Sequence, residues 1–232
     1  MIGRGRIQFT GLAVCLLALA VGGLPGEGHT QTAANPGMYR TPKEGGARRW
    51  VVISPDGVTL RKSPAEQAEA AGTHPEGAVL TNMGCRDAEG LIWCDVRPFR
   101  GGPRGFVRAE NLMPAKGPDG TILIGADDSI YRARKGRFDA IGQVACTQEK
   151  GQSLGNCDAA VARGTGGDAT VVVTFPNKFK RMLFFIHGEF VRASATMSGV
   201  GRDTDWALKD GLHLIRVDDQ QFEVRDEFVF GN

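Results

Sequence analysis

Residues 82–97 read Asn-Met-Gly-Cys-Arg-Asp-Ala-Glu-Gly-Leu-Ile-Trp-Cys-Asp-Val-Arg. The dipeptide Glu89-Gly90 suits a two-residue β-turn, and the flanking residues suit antiparallel strands. Counting outward from that turn, Ala88 faces Leu91, Asp87 faces Ile92, Arg86 faces Trp93 and Cys85 faces Cys94. The pair beside such a turn is hydrogen-bonded and pairs alternate outward, so Cys85 and Cys94 occupy a non-hydrogen-bonded position. Side chains come closest there, within reach of a disulfide. A bulged turn with Gly90 in the left-handed region would shift this register by one. A second pair, Cys146 and Cys157, also brackets glycines, in VACTQEKGQSLGNCDAAV (144–161).

Whether such pairs oxidise depends on compartment. The chain opens with Arg4 and Arg6, then an apolar run from Leu12 to Val21, then Gly22, Gly23 and Pro25. This is the pattern of a secretory signal peptide over residues 1–24, and the run falls short of the roughly 20 residues a membrane span needs. Ala18-x-Ala20 and Thr32-Ala33-Ala34 are alternative ends for it. Around Cys15, bulky Val14 departs from the lipoprotein pattern. The expected location is therefore periplasmic or secreted, with no stable membrane insertion after cleavage. Of five cysteines, Cys15 leaves with the signal and four remain. Four cysteines allow three connectivities, and the spacing favours the two local ones, 85–94 and 146–157. Each would stabilise by about 3 kcal/mol in the chain-entropy model. Zinc would call for CxxC knuckles or nearby histidines, and His29, His74, His187 and His213 are scattered. No metal or cofactor is expected.

Composition is that of a globular protein, 41% hydrophobic and 23% charged, with 33 glycines. Many turns and short strands follow from that. Losing Arg4, Arg6 and Glu27 with the N-terminal segment takes the net charge from +2 to +1. That near-neutral balance argues against a nucleic-acid partner.

Residues 25–47 read as a flexible linker. Short strands follow at Trp50–Ile53, Val58–Leu60, Ala78–Met83, Leu91–Arg97 and Gly105–Val107. Between them, Pro64–Ala71 suits one or two helical turns. Several strands in so short a span suggest a small barrel. Here VTLRKSP, GTHPEGAVL, LIWCDVR and RGFVRAENL resemble the bacterial SH3 (SH3b) family over residues 48–114. Val58, Leu60, Arg61 and Pro64 match its opening, and Gly72, Pro75, Gly77 and Val79 or Leu80 its second segment. Trp93 and Val96 match the third segment, and Gly105, Phe106, Val107 and Leu112 the close. Ser63 stands where glycine is usual, and Phe106 replaces tryptophan. The resemblance implies a binding module, and a pair like Cys85–Cys94 recurs in exported members.

Residues 115–120 read as a second linker, and 121–232 as a C-terminal β-rich domain. Strands are expected at Thr170–Phe175, Arg181–His187 and Glu189–Ala193, with a Pro176-Asn177-Lys178 turn. Two hairpins follow across Asp210-Gly211 and Asp218-Asp219, and RDEFVFGN closes as a turn or short helix. This half resembles a domain without assigned activity that follows SH3b units in exported proteins of Gram-negative bacteria. The expected fold class is all-β: an SH3-like small barrel plus a mostly antiparallel sheet.

A search for catalysis finds no match. Cys146-Thr147 and Cys157-Asp158 suit a disulfide better than a peptidase thiol. His187-Gly188-Glu189 is not HExxH, and it suits a polar strand end. RGTGGD (163–168) lacks a phosphate-loop lysine and reads as a hairpin loop. Ser194 and Ser198 have no recognisable base. Asp203 and Asp205 suit solvated loop charges. Binding features are softer. RPFRGGPRGFVR sets Arg97, Arg100, Arg104 and Arg108 around Phe99 and Phe106, and YRARKGR adds Arg132, Arg134, Lys135 and Arg137. The candidate ligand-binding residues are Trp93, Phe99, Arg104 and Phe106, with solvated loops and barrel core as the plainer readings. The expected role is non-catalytic binding of peptide or cell-wall material, with peptidoglycan or an envelope protein as partner. A peptidoglycan-active enzyme or an enzyme inhibitor is the alternative.

Overall fold

The Cys85–Cys94 hairpin forms in the register expected of its turn. In a computed structural model that describes residues 36–196 and 201–231, Glu89 (φ 57°) and Gly90 (φ 78°) both lie in the left-handed region. This is the two-residue turn whose twist matches antiparallel strands. Ala88 pairs with Leu91, Asp87 with Ile92, Arg86 with Trp93 and Cys85 with Cys94. The close Cα–Cα approach of the cysteines, 3.9 Å, places their disulfide at a non-hydrogen-bonded pair. The expected signal segment lies outside the described residues.

Seven strands build the first sheet: β1 (Arg49–Val52), β2 (Val58–Arg61), β3 (Ala70–His74), β4 (Val79–Ala88), β5 (Leu91–Pro98), β6 (Gly105–Arg108) and β7 (Leu112–Pro114). Their order is β3-β2-β6-β5-β4-β1-β7. Alternation along the strands sends Trp50, Val52, Leu60, Leu80, Cys94, Val96 and Val107 into one buried core. A Cβ at position 105 would sit 2.8 Å from Leu60 Cβ and 2.9 Å from the Arg61 carbonyl, so glycine lets β6 reach β2.

Two segments depart from expectation. Residues 36–47, read as part of a flexible linker, contain 3-10 turns at Pro36–Tyr39 and Pro42–Glu44. Buried Asn82 ties them down, donating from Nδ2 to the Arg40 carbonyl at 2.8 Å and the Ala47 carbonyl at 2.7 Å. A buried amide needs such partners, and the linker backbone supplies them. Residues 64–71 form no helix, because the β2–β3 pairing takes Ala70 and Ala71 and isolated helices this short are marginal. Residues 115–120 connect the two sheets through a turn whose first residue is buried. Ala115 is 2% exposed, and Lys116 bridges to Ile122.

The second sheet is an eight-stranded meander: β8 (Ala140–Thr147), β9 (Gly155–Arg163), β10 (Ala169–Thr174), β11 (Lys180–Ile186), β12 (Glu189–Ala193), β13 (Thr204–Lys209), β14 (Leu212–Val217) and β15 (Gln220–Arg225). Because β15 returns to pair with β8, the sheet curls until its two free edges, β12 and β13, lie close together. The nearly closed barrel is filled by Val161, Val171, Val173, Phe175, Leu183, Phe185, Phe190, Phe222 and Val224. The two-residue turns expected at Asp210-Gly211 and Asp218-Asp219 are both present. Cys146 and Cys157 join the adjacent strands β8 and β9.

Two short helices complete this half. The closing helix α2 (Asp226–Phe230) falls where RDEFVFGN suggests, but α1 (Ser129–Arg134) was not expected. It explains why β10 is buried on both faces. One face meets the barrel core, and the other lies under Ala133 and Phe138. No helix among the described residues is long and apolar enough to cross a membrane.

The disulfides carry a direct test. Non-reducing peptide mapping is expected to return 85–94 and 146–157, and a crossed pairing would contradict the ladders. Cys85→Ser should cost about 3 kcal/mol under oxidising conditions and nothing further once reductant is present. Equal loss in both conditions would trace the effect to packing.

Candidate functional site

The face of the first sheet opposite its core carries alternating cations and aromatics. Cys94, Val96 and Val107 point inward, so Trp93, Asp95, Phe106 and Arg108 point outward. Cross-strand pairing builds two rows from them. Arg86, Trp93 and Arg108 form one, and Asp95, Phe106 and Arg61 the other. The Arg86 guanidinium lies 4.7 Å from the Phe106 ring centre, and Arg108 lies 6.0 Å from that of Trp93. Such stacking is worth about 0.5–1 kcal/mol at exposed positions.

Carboxylates hold the cations in place. Arg108 Nη1 donates to Glu66 Oε1 at 2.6 Å, and its Nη2 lies 2.9 Å from Glu110. Arg104 Nε donates to Asp95 Oδ1 at 2.6 Å. Hydrogen bonding to Glu66 raises the Arg108 pKa above the usual guanidinium value, and the bond to Asp95 does the same for Arg104.

Of the four residues singled out from sequence, this face unites three. Phe106 and Arg104 meet Asp95, and Trp93 lies in the neighbouring row, but Trp93 is only 3% exposed and offers no open platform. Phe99 lies elsewhere: its ring meets that of His187 edge-on at 6.4 Å, where the two sheets touch. Arg100 joins the same contact through an ion pair with Glu189. Sequence reasoning passed over Arg86 and Glu66. The hairpin register set Arg86 opposite Trp93, a usable signal for the first; Glu66 is distant in sequence from the residue it holds.

The junction between the sheets is a buried charge cluster. Asp168, 2% exposed, accepts from Arg48 Nη1 at 2.9 Å and from Arg49 Nη2 at 2.8 and 2.9 Å. The His187 backbone N–H donates to the same carboxylate at 3.0 Å. Arg48 also donates to the Gly125 and Thr165 carbonyls. Leu123 lies against Gly166, where a Cβ would approach Leu123 Cδ2 to 1.8 Å, so only glycine fits. RGTGGD is the hairpin loop expected of it, and its last residue anchors the junction. Burial, then the Arg49 charge, lowers the His187 pKa. Burial raises that of nearby Asp127, with Asp168 adding to the effect.

Two further polar clusters contain groups familiar from catalysis. Buried Ser129 is hydrogen-bonded to Asp127 at 2.7 Å and Thr170 at 3.0 Å. His213, 0% exposed, contacts Asp226 through Nε2 at 3.0 Å, and its Nδ1 accepts from the Trp206 indole at 3.1 Å. The position a nucleophile would take against that imidazole is therefore filled by an indole N–H. Asp203 is ion-paired with Arg216 at 2.9 Å. Among the described residues, no three of His, Cys, Asp and Glu group as a metal would require. No protein-family model, curated protein or solved structure matches the chain.

Proposed function

We propose that this is a non-catalytic, exported envelope protein whose first sheet is an SH3b-type module binding peptide or cell-wall material. The observation that carries the reading is the outward layer of Arg86 on Phe106 and Arg108 on Trp93, across β4, β5 and β6. The Arg86 guanidinium seated on the Phe106 ring presents charge beside flat apolar surface, which suits peptide carboxylates and sugar faces. The Arg108–Trp93 pair, held by Glu66 and Glu110, fixes the strand face behind it. Two disulfides support an oxidising compartment.

The test is a pull-down of the signal-free protein with purified peptidoglycan sacculi at low and moderate salt. Retention is expected to survive moderate salt and to fall about threefold to tenfold in Arg86→Ala and Phe106→Ala. Retention that vanishes with salt would reduce the interaction to general charge attraction. No retention at either salt would remove peptidoglycan as the ligand.

A further inference from the structure

The structure separates the basic residues of the two arginine-rich stretches into two classes. Arg100, Arg104, Arg108 and Arg132 are held by carboxylates: Glu189, Asp95, Glu66 with Glu110, and Asp128 with Asp139. Arg97, Arg134, Lys135 and Arg137 have no ion-pair partner among the described residues, and neither does Arg192 of β12. Three of them, Arg97 of β5, Arg134 of α1 and Arg192 of β12, come together. The Arg192 guanidinium lies 4.2 Å from the centre of the Phe184 ring on the outer face of β11. Helix α1, which carries Arg134, packs over the neighbouring strands β9 and β10. Arg97 is two residues before Phe99, which touches the β11–β12 turn at His187. Burial lowers the Arg192 pKa, and the charges of Arg134 and Arg97 lower it further, as expected of cations gathered without a counter-charge.

We propose that Arg97, Arg134 and Arg192 form a phosphate-binding site for a phosphorylated glycan, with Tyr131, Lys135 and Arg137 extending its track. Three guanidinium groups suit the outward oxygens of a phosphate better than the two oxygens of a carboxylate, and each can donate a paired fork. Phe184 holds the Arg192 group in place before any ligand arrives. Beside them, Tyr131 is 57% exposed, with Lys135 and Arg137 5.9 and 5.3 Å from its ring centre. An exposed ring flanked by cations suits a sugar carrying further negative charge. The charge is local: Arg134, Lys135 and Arg137, without an ion-pair partner among the described residues, set three cations within four residues, whereas residues 201–232 hold eight acidic and four basic side chains. A polyanion is thus directed to one side of a near-neutral protein. This surface is distinct from the Arg86–Phe106 face and does not depend on that reading.

The test is binding of dextran phosphate, with unmodified and carboxymethyl dextran as comparisons, in about 0.15 M salt, where weak surface attraction is screened. The expected result is binding of dextran phosphate in preference to the carboxymethyl form. Arg134→Ala and Arg192→Ala should each weaken it about tenfold, the effect of losing one charge-assisted pair. Arg192→Lys should recover only part of the loss, because the charge returns without the fork. Lys209→Ala, on β13, should change nothing. Circular dichroism and the urea midpoint of each variant show that it is folded. Equal affinity for the two charged dextrans, or unchanged affinity in folded alanine variants, would overturn the proposal. Tighter binding of a single-stranded oligonucleotide of equal charge would overturn it in favour of nucleic acid.

Discussion

Asp168→Ala is expected to destabilise the protein by about 3–5 kcal/mol, the usual cost of removing one partner from a buried ion pair. The carboxylate receives two arginines and a backbone N–H in a setting where all three charged side chains are nearly sealed from solvent. Without it, Arg48 retains the Gly125 and Thr165 carbonyls. Arg49 fares worse, since its Nη1 already has no hydrogen-bond partner among the described residues. The loss therefore comes mainly from stranding charge, not from the intrinsic worth of the pairs. Replacing all three residues together, as Arg48→Met, Arg49→Leu and Asp168→Met, should consequently recover at least half of it. Urea midpoints of the single and triple variants measure this. A cost below about 1 kcal/mol for Asp168→Ala would show that water reaches the cluster and screens it.

That cluster also marks where the sequence stops being legible. The hairpins could be read because their information is local. Glu89-Gly90, Asp210-Gly211 and the alternating residues beside them specify turn and register within a few positions. Arg48 and Asp168 are 120 residues apart, and Asp168 resembles an ordinary loop aspartate until Arg48 and Arg49 close on it. Helix α1 escaped because its six residues are too few to show a helical period, and its stability comes from lying on Ala162 and Val172. The arginine-rich stretches showed where positive charge would sit. Which of those charges are neutralised depends on Glu66 and Glu189, which only the fold brings to Arg108 and Arg100. Trp93 was legible as an aromatic strand residue, but its cover of Arg108 held by Glu66 was not.

Acidification should weaken the fold through His213, and the direction follows from which atoms can donate. The Trp206 indole nitrogen only donates, so His213 Nδ1 must accept, leaving the imidazole proton on Nε2 facing Asp226. A second proton would set two N–H groups against each other and break the tie to β13, the strand at one free edge of the nearly closed barrel. Burial lowers the His213 pKa, with Asp226 opposing; Phe185 and Phe230 pack on the ring and add no charge. A histidine whose folded pKa lies below its unfolded value contributes stability that is complete above about pH 6.5 and is lost as pH falls. His187, also lowered, acts in the same direction. Asp127, raised by burial, acts oppositely, in the more acidic range where carboxylates titrate. Each histidine can contribute a slope of up to about 1.4 kcal/mol per pH unit, measured from urea midpoints between neutral and mildly acidic pH. At neutral pH, His213→Ala should itself cost about 4 kcal/mol, combining a cavity with two lost hydrogen bonds. His213→Gln should remove one histidine's share of the slope. Trp206→Phe should reduce it too, because Nδ1 could then take a proton without facing a donor. A wild-type slope retained in both variants would place the acid sensitivity elsewhere, with His187 at the sheet junction the next group to replace.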